Sequence, residues 1–283
     1  MATQQRWLTA PPSTHTVRVR LIKDVGIMSL PSALLLDPVA EGHEILNGAD
    51  TAYLIENENL GKKAVFDLGV RKDWWNLPPK VRDPLAFCVG INVEKDVPEV
   101  LQERDISLDT INDVIWKMAV MKPEITGTEE AVFLSSDFAG RHNNEIDFSK
   151  STSKIGGFNA LGFYDDESFY LLDTPGHDLG HLSALARATS SKAGHGKDTC
   201  QQSPLSAAGS VKEARVNPWY DVATGQLSTF LDPIVGQRTA NTVKEAFDEA
   251  ENVFVAVCHD LSLLAEENGK PVLPTLNMLP KKT

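Results

Sequence analysis

"FYLLDTPGHDLGHLSALAR" (residues 169–187) sets an apolar run before a Pro-Gly turn and then places two histidines, His177 and His181, four residues apart. The aromatic and aliphatic character of Phe169 to Leu172 predicts a buried strand, and Pro175-Gly176 ends it. The Ala- and Leu-rich "HLSALARA" predicts a helix opened by His181. An imidazole held at a strand end is well placed to bind a metal or move a proton. Taken alone, though, two histidines in this setting are a loop residue and a helix cap before they are two ligands of one ion.

The same alternation extends in both directions. "VRVRLI" (17–22), "TAYLIE" (51–56), "KAVFDLG" (63–69) and "NDVIW" (112–116) read as short strands bounded by Gly, Asn and Asp. Asp96 ahead of Val97-Pro98, with Val100 and Leu101 at helical spacing, predicts a capped helix within 95–110. "TANTVKEAFDEAENVFVAVCHD" predicts a helix over about 240–250 and then a buried strand ending at His259. Strand, polar loop, helix is the expected unit, in a layered α/β domain whose strand-end loops carry His and Asp. Residues 1–16 are expected to be a disordered lead-in, 17–270 one domain with an irregular loop at 187–218, and 271–283 a tail.

Composition narrows the function. With 283 residues, 42% hydrophobic, the chain can bury a sizeable core. It shows neither an apolar run long enough to span a bilayer nor the apolar core of a signal peptide, so the expected location is cytoplasmic. Cys88, Cys200 and Cys258 fit neither a disulfide framework nor a metal clip. A net charge of -12 offers nothing to phosphates, which need clustered Lys and Arg. The expected partner is a small molecule, with no nucleic acid and no membrane. Outside the opening stretch, His259 ends a predicted strand next to Asp260, whereas Asp198 in "GKDTCQQ" and His15, His43, His142 and His195 have little local context.

"YLIENENLGKKAVFDLGVRKDWWNLPP", "ISLDTINDVIW", "SDFAGRHNNEIDFS", "FYLLDTPGHDLGHLSALAR" and "NVFVAVCHDLSLL" together resemble the metallo-β-lactamase superfamily, most of all its fungal lactonase- and lactamase-like branch. "DTPGHDLGHLSALAR" carries most of that likeness. The resemblance implies an αββα sandwich, a zinc site and hydrolysis of a cyclic ester or amide, a lactone or γ-lactam, in detoxification or secondary metabolism. Carried over residue by residue, it makes His177, His259 and Asp198 the metal ligands. His181 and Asp67 become supporting residues beside them.

One departure stands out. After "INDVIW" the family has a His-x-His-x-Asp-His run that supplies ligands to both metals, and here the text reads "KMAVMKPEITGTEE". Met118, Val120, Lys122 and Pro123 stand at the four positions, and none of them suits zinc. The sandwich is therefore expected to be incomplete around its metal loop, with zinc weak, mononuclear or absent. Three readings stay open: a metal-dependent hydrolase; a non-catalytic relative, or pseudoenzyme, that binds a ligand or partner; and a gene product whose exon boundaries are misplaced around 117–135 and 190–204.

Overall fold

A computed structural model describes residues 10–23, 25–34, 39, 41–118, 127, 131–176, 180–188 and 233–249. Its strands and α-helices, in chain order, are β1 (Arg18–Ile22), β2 (Ile27–Pro31), β3 (Ile45–Ala49), β4 (Ala52–Asn57), β5 (Lys62–Phe66), α1 (Pro79–Leu85), β6 (Gly90–Asn92), α2 (Val97–Glu103), β7 (Asp113–Ile115), β8 (Ser153–Ile155), β9 (Phe158–Gly162), β10 (Phe169–Asp173), β11 (Leu182–Ala186) and α3 (Pro233–Glu249). Three sheets form, in the orders β1-β4-β5-β7, β11-β10-β9-β8 and β3-β2-β6. Among the described residues no helix is long and apolar enough to cross a membrane.

Alternation along the strands builds the layers. Val19, Leu21, Tyr53, Ile55, Ala64 and Phe66 line one face of the first sheet and meet Phe169, Leu171 and Leu182 of the second. The alternate residues Ile22, Ala52, Leu54 and Val65 face the other way, against Val97, Val100 and Leu101 of α2. Period-two patterning thus gives the first sheet two apolar faces, which is why "TAYLIE" reads as nearly continuous hydrophobicity. On the far side of the second sheet Ile155, Ala160, Tyr170 and Leu172 form a smaller core. The helix α3 lies against the β8–β9 hairpin, where a side chain on Gly157 would come within 3.8 Å of Thr242. Helix, sheet, sheet, helix is the αββα order, and the β3-β2-β6 sheet runs into the first sheet through the short β3–β4 connection at Asp50-Thr51.

Several expectations are met residue by residue. The four predicted strands of the first half become β1, β4, β5 and β7, and the capped helix becomes α2, where the Glu99 carboxylate reaches back to accept the Asp96 amide at 2.8 Å. The helix predicted over 240–250 spans Pro233–Glu249, and the strand before His259 lies outside the described residues.

Two expectations are corrected. The segment after His181 is a strand, not a helix: β11 pairs antiparallel with β10, Tyr170 opposite Leu185 and Leu171 opposite Ala184. Ala and Leu favour a helix only weakly, and a five-residue helix would carry the full nucleation cost, whereas the free edge of β10 offers every backbone group a partner. Nor is strand-loop-helix the repeating unit, because every strand pairing described is antiparallel except β5 with β7. Among the described residues Arg187 donates to the Pro11 carbonyl at 2.6 Å and Ser13 to the Asp166 carbonyl at 2.7 Å, while residues 1–9 lie outside them.

Phe169 is fully buried between the two large sheets. Phe169→Ala should cost about 3–5 kcal/mol, read as a lower urea midpoint. A loss under about 1 kcal/mol would show that the sheets do not pack through this ring.

Candidate functional site

The parallel register Ala64–Asp113, Val65–Val114, Phe66–Ile115 brings β5 and β7 to an end at the same edge of the sandwich. One residue on, the Asp67 amide donates to the Ile115 carbonyl at 3.0 Å. Trp116 turns into an aromatic cluster, its ring perpendicular to Phe133 at 4.3 Å and 5.9 Å from Phe138. The Lys117 carbonyl accepts the Leu182 amide at 2.9 Å, fastening the end of β7 to the start of β11. With its backbone held on both sides, Lys117 sets its ammonium 2.6 Å from Asp67 Oδ2, the two side chains only 18% and 16% exposed.

Asp67 has a left-handed backbone, φ 65°, which Asp tolerates better than most residues because its side chain can bond locally. Here Oδ1 accepts the amides of Leu68 at 2.8 Å and Gly69 at 3.3 Å, leaving Oδ2 for Lys117. Burial pushes the Asp67 carboxyl up, but the Lys117 charge and hydrogen bond with the two amides outweigh it and hold the group below its ordinary value.

Asp50 completes the corner. It sits between β3 and β4, its amide donating to the Gly26 carbonyl at 2.9 Å. It is 3% exposed, and burial and then the Asp67 charge push its carboxyl up to about 6, with Lys117 opposing them. The half-buried Cys88 thiol is pushed up by burial and then by Asp50. Two carboxylates and an ammonium thus share one strand-end corner, one carboxylate firmly ionised and the other easily protonated.

The β10–β11 turn closes the same end. The Thr174 amide donates to the His181 carbonyl at 3.3 Å, and the His181 ring Nδ1 lies 2.9 Å from the Thr174 carbonyl oxygen. Thr239 of α3 donates to the Pro175 carbonyl at 2.7 Å. Gly176 has φ 117°, and a Cβ there would stand 2.2 Å from the Gly236 nitrogen, so only glycine lets turn and helix backbones meet.

Of the residues singled out by sequence, Asp67, Met118 and His181 are described: Asp67 at the end of β5, Met118 just past Lys117, His181 at the foot of β11. His181 is not a helix cap; its ring braces the turn through Thr174. His177, Asp198, His259, Val120, Lys122 and Pro123 lie outside the described residues. Sequence reading missed Lys117 and Asp50. Both are readable only once the parallel β5–β7 pair and the β3–β4 junction are known. A hollow of about 320 Å³ lined by His15, Arg18, Glu56 and Glu58 lies at the opposite end of the first sheet, away from this chemistry.

Whether the corner suits a metal can be judged from its donors. Among the described residues no three His, Cys, Asp or Glu side chains converge to hold one. The carboxylate nearest the family's missing run already faces an ammonium, which competes with any dication for the same oxygens. The described donors alone do not make a metal site, and the residues that the resemblance names as ligands, His177, Asp198 and His259, lie outside the described residues.

No protein-family model matches the chain. It is 30% identical to a cytochrome P450 monooxygenase of Penicillium brevicompactum over 93% of its own length and 36% of that protein's, so it spans about a third of that relative. It is 30% identical to a gamma-lactamase of Fusarium pseudograminearum, covering 90% of this chain and 76% of that one. A metallo-hydrolase of Annulohypoxylon moriforme is 28% identical, with 90% and 81% covered. Among solved structures, a quorum-quenching N-acyl homoserine lactone lactonase superposes with a TM-score of 0.51 at 16% identity, over 93% of this chain and 99% of that one.

Asp50 gives the site a pH dependence of known sign. A carboxyl raised from 3.8 to about 6 on folding favours the folded state below pH 3.8, and that advantage is lost as pH rises through about 6, on the order of 3 kcal/mol in all. Asp67, held low, acts oppositely and loses its contribution only as pH falls through its folded value. Asp50→Asn should therefore gain stability relative to the parent between pH 4 and pH 7.5, measured by urea unfolding at both. Parallel profiles would show that Asp50 does not carry this charge burden.

Proposed function

Because the chain belongs to the fungal lactonase- and lactamase-like branch of the metallo-β-lactamase superfamily, a family of hydrolases, we propose that it takes a small cyclic ester or amide, a lactone or γ-lactam. The substrate would sit at the sandwich end where β5, β7 and the β10–β11 turn converge. The observation that supports this most is likeness to a gamma-lactamase over 90% of the chain, joined to polar groups gathered at that one end. Opening such a ring needs a nucleophilic water and a group that polarises the carbonyl; a metal, when bound, supplies both. The chain's own part is to hold and orient the ring and to set charge beside it. The reading counts His177, next after Gly176 in the sequence, among the residues the reaction needs. A role in detoxification or secondary metabolism is part of the same reading.

A second reading, binding without turnover, is favoured by the Lys117–Asp67 pair in the place where a hydrolase needs an open, electron-rich corner. One experiment separates them. The purified chain is offered γ-butyrolactone and 2-pyrrolidinone, with and without chelator, and ring opening is followed by mass spectrometry. Chelator-sensitive turnover that falls at least a hundredfold in His177→Ala supports the hydrolase. A folded protein that binds either ring by calorimetry and opens neither supports the binder.

A further inference from the structure

The element that the catalytic reading leaves unused is Lys117. It stands two residues beyond β7, at the first position after "NDVIW", and it is enclosed rather than free to sweep through solvent. Three contacts fix where its ammonium goes. Trp116 before it is wedged against Phe133 and Phe138, its own carbonyl is bound by Leu182, and Asp67 is bent into a left-handed conformation that points Oδ2 at it. Asp50, 3% exposed, packs against the turn after Asp67, its Cβ 3.3 Å from where a side chain on Gly69 would begin, and its carboxyl is pushed up by the Asp67 charge and opposed by Lys117.

Two carboxylates brought together at a dry strand end repel each other and need a positive charge beside them. We infer that Lys117 is the resident counter-cation of the Asp50–Asp67 corner, the positive charge that lets the two carboxylates be buried together. This does not rest on the hydrolase reading, and it would hold whether or not the chain turns over a substrate. The ammonium would compete with any added cation for the Asp67 carboxylate.

The inference predicts a specific pattern among variants of the full chain. Lys117→Met keeps the aliphatic stem and removes the charge, so it should lower the folding equilibrium constant at pH 7 by about tenfold or more, since breaking a partly buried pair strands the other charge. Adding Asp67→Asn to it should recover most of that loss, because the carboxylate that Lys117 touches is then neutral and Asp50 no longer has a second negative charge beside it. Manganese or zinc alone, added to Lys117→Met, should raise its melting temperature by more than in the parent chain and in the double variant. Should Lys117→Met not fold by itself, a folded Lys117→Met/Asp67→Asn protein supports the inference and an unfolded one overturns it. It is also overturned if the two substitutions are simply additive, or if metal raises the parent's melting temperature as much as that of Lys117→Met. Ring-opening activity enters none of these readouts, so failure here and failure of the hydrolase reading are told apart.

Discussion

The pairing of β5 with β7 is the one parallel contact among the described strands, and the site depends on it. Antiparallel strands can be joined by tight turns, but a parallel neighbour must be reached by a crossover. Here residues 67–112 make that crossing, and α2 within it covers the outer face of the first sheet. Because the strands run the same way, both leave the sheet at the same edge. Asp67 and Lys117, fifty residues apart in sequence, become neighbours for that reason alone.

How much of this could be read beforehand follows the strength of local signals. β1, β4, β5 and β7 were legible because Val, Ile, Tyr and Phe alternate or cluster between polar turns, and α2 because Asp96 stands ahead of Val97-Pro98 with Val100 and Leu101 at helical spacing. β2 ("IMSLP"), β3 ("ILNGA") and β6 ("GIN") were not, since Pro, Gly and Asn read as turns. They are strands because they pair with one another, with Met28 opposite both Gly48 and Ile91. "LSALA" misled for the opposite reason: its residues favour a helix, and the unpaired edge of β10 decides otherwise.

The site divides the same way. The Pro-Gly turn was readable, and it carried the family likeness as well as the strand end. What sequence could not give was the identity of the charge beside Asp67. Reading forward from "INDVIW" for lost ligands starts at Met118 and steps over Lys117, which is one lysine among many until the register places it. Asp50, in "NGAD", resembles any turn aspartate; its significance comes from lying where two sheets join and water is excluded.

The bond between the Lys117 carbonyl and the Leu182 amide has a further meaning for anyone rebuilding this corner. It couples the backbone just after β7 to the first residue of β11, so any segment built on from Lys117 starts from a point that β11 holds. Grafting a relative's ligand run into this protein is therefore a problem of two segments. The donor loop must match the anchor at Leu182 as well as replace the lysine, or its side chains will be delivered to the wrong place.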